Sequence, residues 1–467
     1  MTTRSAAGMR TGSGWIEKWN PENKEFWESE GKYTARRNLI FSIFAEFLGF
    51  SVWQLFSIVA ALLPLIGFAF TAPQLFALVA LPGLVGATMR FPYTFAVGIF
   101  GGRNWTIISV LLLLLPTVLL GVIVQDPETP YWLFAVAAAL GGLGGGNFSS
   151  SMANISYFYP NDRKGTALGM NAAGGNLGVG MVQLLVPIVI ASSALVFIGG
   201  SQTKTTPEGS TSEVFVQNAA FFWMPLIVLS AICAYLFMNN LNVSQASPKE
   251  QAPIVKRKHT WVMSYLYIGT FGSFIGYSAS FPLLITNQFP EHVAPWFAAV
   301  GPIVGSLIRP VGGWLSDKFG GARVTFWTFA VMIGAVAAVL YFLAGRSFGG
   351  FFLAFMLLFL ATGVGNGSTY RMIPVIFRAE REREAQDRGQ GVVAEARRQG
   401  LKEGAFALGF IGAVAAYGGF IIPRAFGASL DATGGPQTAL MTFIVFYVTC
   451  VGATWYFYYR RNAKLPC

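Results

Sequence analysis

Two arginines stand where a charge is least at home. Gly86-Ala-Thr-Met-Arg90 and Gly305-Ser-Leu-Ile-Arg309 each sit inside a long apolar run, and each run reaches a Gly-Gly pair, Gly101-Gly102 and Gly320-Gly321, eleven residues past the arginine. On a membrane-crossing helix, eleven residues at about 1.5 Å each put each guanidinium roughly 16 Å from the helix end. That is near the middle of a hydrocarbon slab about 30 Å thick and too deep for the side chain to reach water. A charge there costs at least ~2.5–3.5 kcal/mol. Guanidinium is planar, permanently charged, and donates two parallel hydrogen bonds to a planar oxyanion. The pair is therefore expected to hold one small anion with several oxygens. The alternative is that each arginine pairs with a buried carboxylate or with backbone carbonyls. Glu46 is the one acid read deep inside a span, so at most one arginine could be neutralised by a carboxylate.

The surrounding sequence is built to put both arginines in lipid. The 467 residues are 54% hydrophobic and 11% charged, against about 25% charged for a soluble domain. Apolar runs longer than eighteen residues recur from end to end, too many for buried core helices. They predict twelve spans, at roughly 37–64, 73–100, 104–124, 130–159, 166–198, 219–240, 261–287, 294–318, 323–345, 349–378, 401–428 and 438–460. Met1–Arg37 is polar and aromatic, with no small-residue cleavage site, unlike a secretory signal.

The net charge of +11 does not indicate nucleic acid, because the basic residues sit in short loops and tails. They alternate: Arg36 and Arg37, Arg103, Arg163 and Lys164, Lys256 to Lys258, Lys318 and Arg323, Arg378–Lys402, and Arg460, Arg461 and Lys464 fall on one side. The other side holds few cations, chiefly Lys204 and Arg346. The positive-inside rule then places both termini in the cytoplasm, in a multi-pass protein of the cell inner membrane. Cys233, Cys450 and Cys467 show no paired spacing, and His259 and His292 are far apart, so neither a disulfide nor a metal site is expected. No pattern for nucleotide binding or covalent catalysis is present, so no cofactor and no enzyme activity are expected.

The chain repeats itself. Arg309 follows Arg90 by 219 residues, and Asn366 of Gly363-Val-Gly-Asn-Gly-Ser follows Asn147 of Gly144-Gly-Gly-Asn-Phe-Ser by the same 219. A shared Ala-Leu-Gly ends at Gly169 and at Gly409, 240 apart, and the surplus matches the charged stretch 378–400. One duplication with one inserted, solvated helix accounts for all three offsets. The expected fold is therefore an all-α membrane protein of twelve transmembrane helices, a major facilitator fold with two pseudo-symmetric six-helix halves and substrate at the midplane between them. The divisions are a tail at 1–36, a first bundle at 37–240, a linker at 241–260, a second bundle at 261–460 carrying the insert 378–400, and a tail at 461–467. Gly313-Trp-Leu-Ser-Asp-Lys-Phe-Gly-Gly-Ala-Arg323 resembles that superfamily's loop motif, whereas Gly98-Ile-Phe-Gly-Gly-Arg103 lacks the acid.

Glycine density marks the fifth and eleventh spans. Gly169, Gly174, Gly175 and Gly178, and Gly409, Gly412, Gly418 and Gly419, permit close helix packing. They also suit helices that slide or bend during switching. Arg371 and Arg424 lie near span ends and are expected to snorkel.

Longer motifs give a family resemblance. Gly145-Gly-Asn-Phe-Ser-Ser-Ser-Met-Ala-Asn-Ile-Ser156, Gly169-Met-Asn-Ala-Ala-Gly-Gly-Asn-Leu-Gly178 and Gly418-Gly-Phe-Ile-Ile-Pro423 resemble the nitrate/nitrite porter (NarK-type) family. Trp19-Asn-Pro-Glu-Asn and Ala35-Arg-Arg-Asn38 are similar to it as well. The resemblance implies nitrate and nitrite as substrates and Arg90 and Arg309 as the anion-binding pair. It further implies that Tyr267, Phe271 and Phe148 wall the site and that Asn176 lies close by. Glu46 departs from the apolar residue expected there.

Three modes of action follow as expectations. Nitrate/nitrite antiport by alternating access leads, since two facing arginines repel each other when empty. Nitrate–proton symport, with Glu46 taking up and releasing the proton, is the alternative. An anion channel or an anion-sensing transceptor, suggested by the insert 378–400, comes third. The expected partners are small anions and membrane lipid, with the protein a monomer.

Overall fold

The computed structural model describes residues 14–193, 198–207, 209–242, 252–292, 296–386, 390–463, 465 and 467. Lys464 and parts of the expected tail, linker and insert (1–13, 243–251 and 387–389) lie outside the described residues.

Long apolar runs become helices because a backbone in lipid has to bond to itself. The crossings are α1 (Lys24–Ile66), α2 (Ala72–Phe100), α3 (Gly102–Ile123), α4 (Tyr131–Gly141 and Leu143–Phe158), α5 (Asn161–Ile190), α6 (Asn218–Phe237), α7 (Lys258–Gln288), α8 (Trp296–Phe319), α9 (Gly321–Ala344), α10 (Phe348–Ala385), α11 (Gln390–Ala416 and Gly418–Thr433) and α12 (Gln437–Tyr459). Among the described residues eleven of these segments are long and apolar enough to cross a membrane by length and composition. The remaining crossing, α4, is broken at Gly142 and diluted by glycine, serine and asparagine.

Helix α1 starts well before the residue 37 read from the sequence, because Asn23 caps Lys24 and its side chain accepts from the Phe26 N–H at 3.1 Å. Thr71 and Gln74 form a capping box that starts α2.

The duplication is visible in the backbone. Gly101 and Gly320, 219 residues apart, close α2 and α8 with φ of 84° and 89°. Only glycine adopts that geometry without strain. Each turn delivers its chain directly into the next helix, which fixes the arginine eleven residues upstream at the same depth in both halves.

Two small sheets complete the chain. Strand β1 (Trp15–Ile16) pairs in parallel with β4 (Asn240–Leu241), and β2 (Gln202–Thr205) pairs with β3 (Thr211–Val214) as a hairpin between α5 and α6. Strand β1, Trp19 and Trp27 pack the start of the chain against the ends of α4 and α6, with Trp19 Nε1 donating to the Tyr157 carbonyl at 3.1 Å. The face that bears these segments also receives the other end of the chain, where the Cys467 carbonyl accepts from the Ala322 N–H at 2.8 Å. We call it the terminal face and the opposite one the far face.

The stretch 378–400 differs from the separate helix expected. Helix α10 runs on through Ala385 and α11 begins at Gln390, so the stretch extends two helices. Its Arg, Glu and Ala residues are strong helix formers and propagate whatever helix precedes them. Arg257, just before α7, ties the two extensions together through Glu380 at 3.1 Å, Glu384 at 3.2 Å and Glu403 at 3.2 Å, and Arg381 also pairs with Glu384 and Glu403. Arg371, expected to snorkel, is exposed and pairs with exposed Asp317 near the terminal-face end of α8 at 2.6 Å.

The halves meet on the far-face side of the arginines. Gly83 of α2 packs on the Gly419 backbone of α11, and Gly180 of α5 packs on Ile303 of α8. Buried Gln183 of α5 donates to Ser57 Oγ of α1 at 2.8 Å and to the Ser278 carbonyl of α7 at 2.7 Å. Toward the terminal face, Gly165 and Gly169 of α5, Gly313 of α8 and Gly409 of α11 have open space before them. Gly169 lies two turns from Asn176 and Gly313 one turn from Arg309, on the same helix sides. The halves touch above the arginines; below them these glycines meet no neighbour within 4 Å, while Phe91 of α2 still meets Phe410 of α11 at 5.6 Å.

Candidate functional site

Arg90 is completely buried and held from three sides. Its Nε donates to the Gly145 carbonyl of α4 at 3.0 Å, and its Nη1 donates to the Gly412 carbonyl of α11 at 2.8 Å. The second bond crosses from one half to the other. The ring faces of Phe148, Phe271 and Trp53 lie 4.6, 5.2 and 5.4 Å from its guanidinium carbon, and such faces attract a desolvated cation. Glycine is needed at 86 and 145 because Trp53 fills the space where either side chain would begin. Nη2 is buried with no partner.

Arg309 is held more loosely. Its Nη2 reaches the Tyr267 hydroxyl at 3.5 Å, and its guanidinium carbon lies 5.0 Å from the Tyr370 ring centre. The Tyr267 hydroxyl donates to Asn366 Oδ1 at 2.9 Å, leaving its lone pairs toward the arginine. Nη1 is buried with no partner.

Ring contacts run unbroken from one arginine to the other. Tyr267 stacks on Phe271 at 5.3 Å and Phe271 on Phe148 at 6.3 Å. In α7 the segment Ile268–Gly272 is a π-helical turn, a widening often found at functional sites. Asn176 is fully buried, with neither side-chain atom bonded, and its carbonyl accepts from Ser306 Oγ of α8 at 3.0 Å. All six residues named from the sequence are buried, and five of them share one set of contacts. Asn176 adjoins that set through α8, one turn before Arg309.

Neither arginine is within ion-pair distance of a carboxylate among the described residues. Glu46 is fully buried in α1, where Ser151 Oγ donates to its Oε2. Asn171 Nδ2 donates to the same Ser151 hydroxyl at 2.9 Å. Oε1 has no partner. Gly175 leaves room for this carboxylate, since a β-carbon there would lie 3.1 Å from Oε1.

Arg90 spends its Nε–H and one Nη1–H on backbone carbonyls, whereas Arg309 makes one long bond from Nη2. Nη2 of Arg90 and Nη1 of Arg309 are both buried without a hydrogen-bond partner among the described residues, so each arginine keeps N–H donors for an anion.

The glycines divide into two groups. Gly169 and Gly409 face open space. Gly174, Gly175 and Gly178 pack on α1, Gly418 on the Gly272 backbone and Gly419 beside Gly83, while Gly412 lies near Phe148 and Arg90. Sequence reasoning did not name Trp53 or Tyr370; it gave backbone carbonyls as the alternative partners of each arginine, which Arg90 takes, without saying which ones. Asn366 stood in the repeat but was not given a place in the site.

Arg90 lies where the two helix bundles meet, bonded to a carbonyl of each. Residues 39–394 match the Major Facilitator Superfamily family model. The nitrate/nitrite transporter NarU of Salmonella typhimurium is 47% identical, over 96% of this chain and 97% of its own length. The chain belongs to the nitrate/nitrite porter (NarK-type) family of the major facilitator superfamily. The family is one of membrane transporters, not of enzymes. A further porter, the probable nitrate/nitrite antiporter NarK2 of Thermus thermophilus, is 38% identical over 97% of this chain and 98% of its own. Among solved structures, a bacterial homolog of the human lysosomal transporter Spinster, in an inward-facing and occupied conformation, aligns with TM-score 0.61 at 16% identity, covering 89% of this chain and 95% of that one. At that identity the likeness speaks for the fold alone; the transporter relatives and the many apolar helices make this a multi-pass membrane protein.

Proposed function

We propose that the protein carries nitrate and nitrite across the cytoplasmic membrane by alternating access, with one anion bridging Arg90 Nη2 and Arg309 Nη1. The supporting observation is two permanently charged side chains, buried inside the protein, each with a terminal nitrogen that has no hydrogen-bond partner among the described residues. Nitrate is planar, monovalent and has three equivalent oxygens, so it accepts from both at once. Phe148, Phe271 and Tyr267 wall the anion and keep water out, which strengthens each charge-assisted bond. Asn176 supplies a neutral donor beside them. The names of the relatives support the substrate pair.

Both termini are cytoplasmic in this reading, the porter acts as a monomer, and the open cleft faces inward. The two bundles rock about the site, with Gly169 and Gly409 providing the surfaces that close when the far face opens. The glycines of α5 packed against α1, and Gly418 of α11 packed against α7, keep each half rigid. Exchange follows from charge. An empty site holds Arg90 on two carbonyls but leaves Arg309 with one long contact, so closing it costs more than closing a loaded one. The return step is then fast only with an anion aboard.

Glu46 supports a second reading, symport with a proton, because its unpaired oxygen is buried in the same half as Arg90. Counterflow in proteoliposomes separates the two. For exchange, nitrite-loaded vesicles take up nitrate at least tenfold faster than anion-free ones, with or without a pH gradient. The Glu46→Gln variant then keeps its rate between pH 6 and 8. Uptake into anion-free vesicles that is driven by an inward proton gradient and lost in Glu46→Gln establishes symport instead. Uptake by neither route refutes the proposal.

A further inference from the structure

Outside the cleft, α8, α9 and α10 leave a groove of about 490 Å³ lined by Phe319, Arg323, Trp327, Val331, Leu357 and Leu360, among others. Its size falls in the ~300–1,000 Å³ range of small-ligand clefts. None of these residues belongs to the anion site. Phe319 lies ten residues past Arg309 on α8, about 15 Å farther along the helix and about 80° around it, so the groove is displaced from the site toward the terminal face.

The groove is polar at one end only. Arg323 stands in the first turn of α9 at the terminal face, exposed and without an ion pair among the described residues. Lys318 stands in the last turn of α8, five residues earlier, its Nζ 5.3 Å from the ring of Phe319, which lines the groove, and 5.3 Å from the Trp314 ring, likewise without an ion pair among the described residues. The neighbouring carboxylate, Asp317, is already paired with Arg371 at 2.6 Å. Below this cationic mouth, Arg323 to Val331 spans about 12 Å of helix. That stretch is walled by aliphatic and aromatic side chains, several of them more than a third exposed. A charged head above a hydrocarbon slot matches the two ends of one lipid molecule.

We infer that this groove is a binding site for an anionic phospholipid, with the phosphate on Arg323 and Lys318 and an acyl chain between α9 and α10. Basic pockets between helices on the cytoplasmic side select anionic headgroups, and an arginine fork suits a phosphate. The occupant touches only helices of the second half and braces α8, which carries Arg309, against α9 and α10. Placement in the inner leaflet rests on the orientation proposed above. Selectivity for the headgroup does not.

Native mass spectrometry of protein equilibrated with equimolar phosphatidylglycerol and phosphatidylcholine tests the assignment. The wild type is expected to retain phosphatidylglycerol at least fivefold over phosphatidylcholine. Arg323→Gln removes most of that excess, Arg323→Lys keeps part of it, and Val331→Trp, which fills the slot and leaves the charge, removes it as well. Equal retention of the two lipids by the wild type overturns the site, as does unchanged phosphatidylglycerol retention in Arg323→Gln or in Val331→Trp. Nitrate counterflow in vesicles of phosphatidylcholine alone is read separately, so a failed lipid site and a failed transport proposal give different results.

Discussion

Arg309→Lys should abolish detectable nitrate counterflow while the protein still folds and inserts. Arg309 makes one long hydrogen bond, to Tyr267, and lies over the Tyr370 ring, so its removal leaves little unsatisfied. Lysine keeps the charge but places it on a compact ammonium with no second arm. It cannot hold Tyr267 and a bound oxygen at once in the arginine's geometry. A charge-assisted hydrogen bond contributes about 1.5–3 kcal/mol, so nitrate affinity should fall roughly 10–150-fold, the factor those energies correspond to. Arg90→Lys should be worse, because it also strands the Gly145 and Gly412 carbonyls and empties the cage of Trp53, Phe148 and Phe271. Its thermal stability should drop, whereas that of Arg309→Lys should not. Normal nitrate affinity in Arg309→Lys would refute a role for the guanidinium fork.

Gly83→Val should stop transport by a different route, with nitrate binding preserved. A β-carbon at Gly83 would overlap the Gly419 backbone and lie 2.6 Å from the Phe420 nitrogen, so α2 and α11 could no longer close on the far face. Backbone cannot move aside as a flexible side chain can, and close helix approach depends on small residues. The variant should rest with the far face open. Labels placed on far-face helix ends of the two halves should read a longer separation than in the wild type, and exchange should fall at least tenfold. Gly409→Ala is the contrasting case, because nothing lies within 4 Å of its added methyl. It should leave the far-face distance unchanged. If Gly83→Val exchanges nitrate at the wild-type rate, the far-face contact is not a gate.

The features legible in the sequence were those that a period or a cost makes unavoidable. Arg90 and Arg309 stood out because charge in lipid is expensive, and the shared 219-residue offset tied them to one duplication whose Gly101 and Gly320 take the same left-handed turn. The partners of Arg90 were not legible. Gly145 and Gly412 act through carbonyls that every residue possesses, and their availability depends on how α4 and α11 approach α2. Trp53 was hidden among 12 tryptophans and Tyr370 among 16 tyrosines, any of which can face lipid. Phe148, Phe271 and Tyr267 were reached through family resemblance and not through spacing. Charge pattern pointed to a helix in 378–400, yet the ion pairs that fold it into two extensions come from Arg257 and Glu403, beyond its ends.

A structure determined with nitrate bound tests the central claim most directly. One nitrate should lie between the halves with one oxygen about 2.7–3.2 Å from Arg90 Nη2 and another at the same distance from Arg309 Nη1. Density for nitrate on one arginine alone, or a carboxylate within 4 Å of either guanidinium in the loaded state, would contradict it.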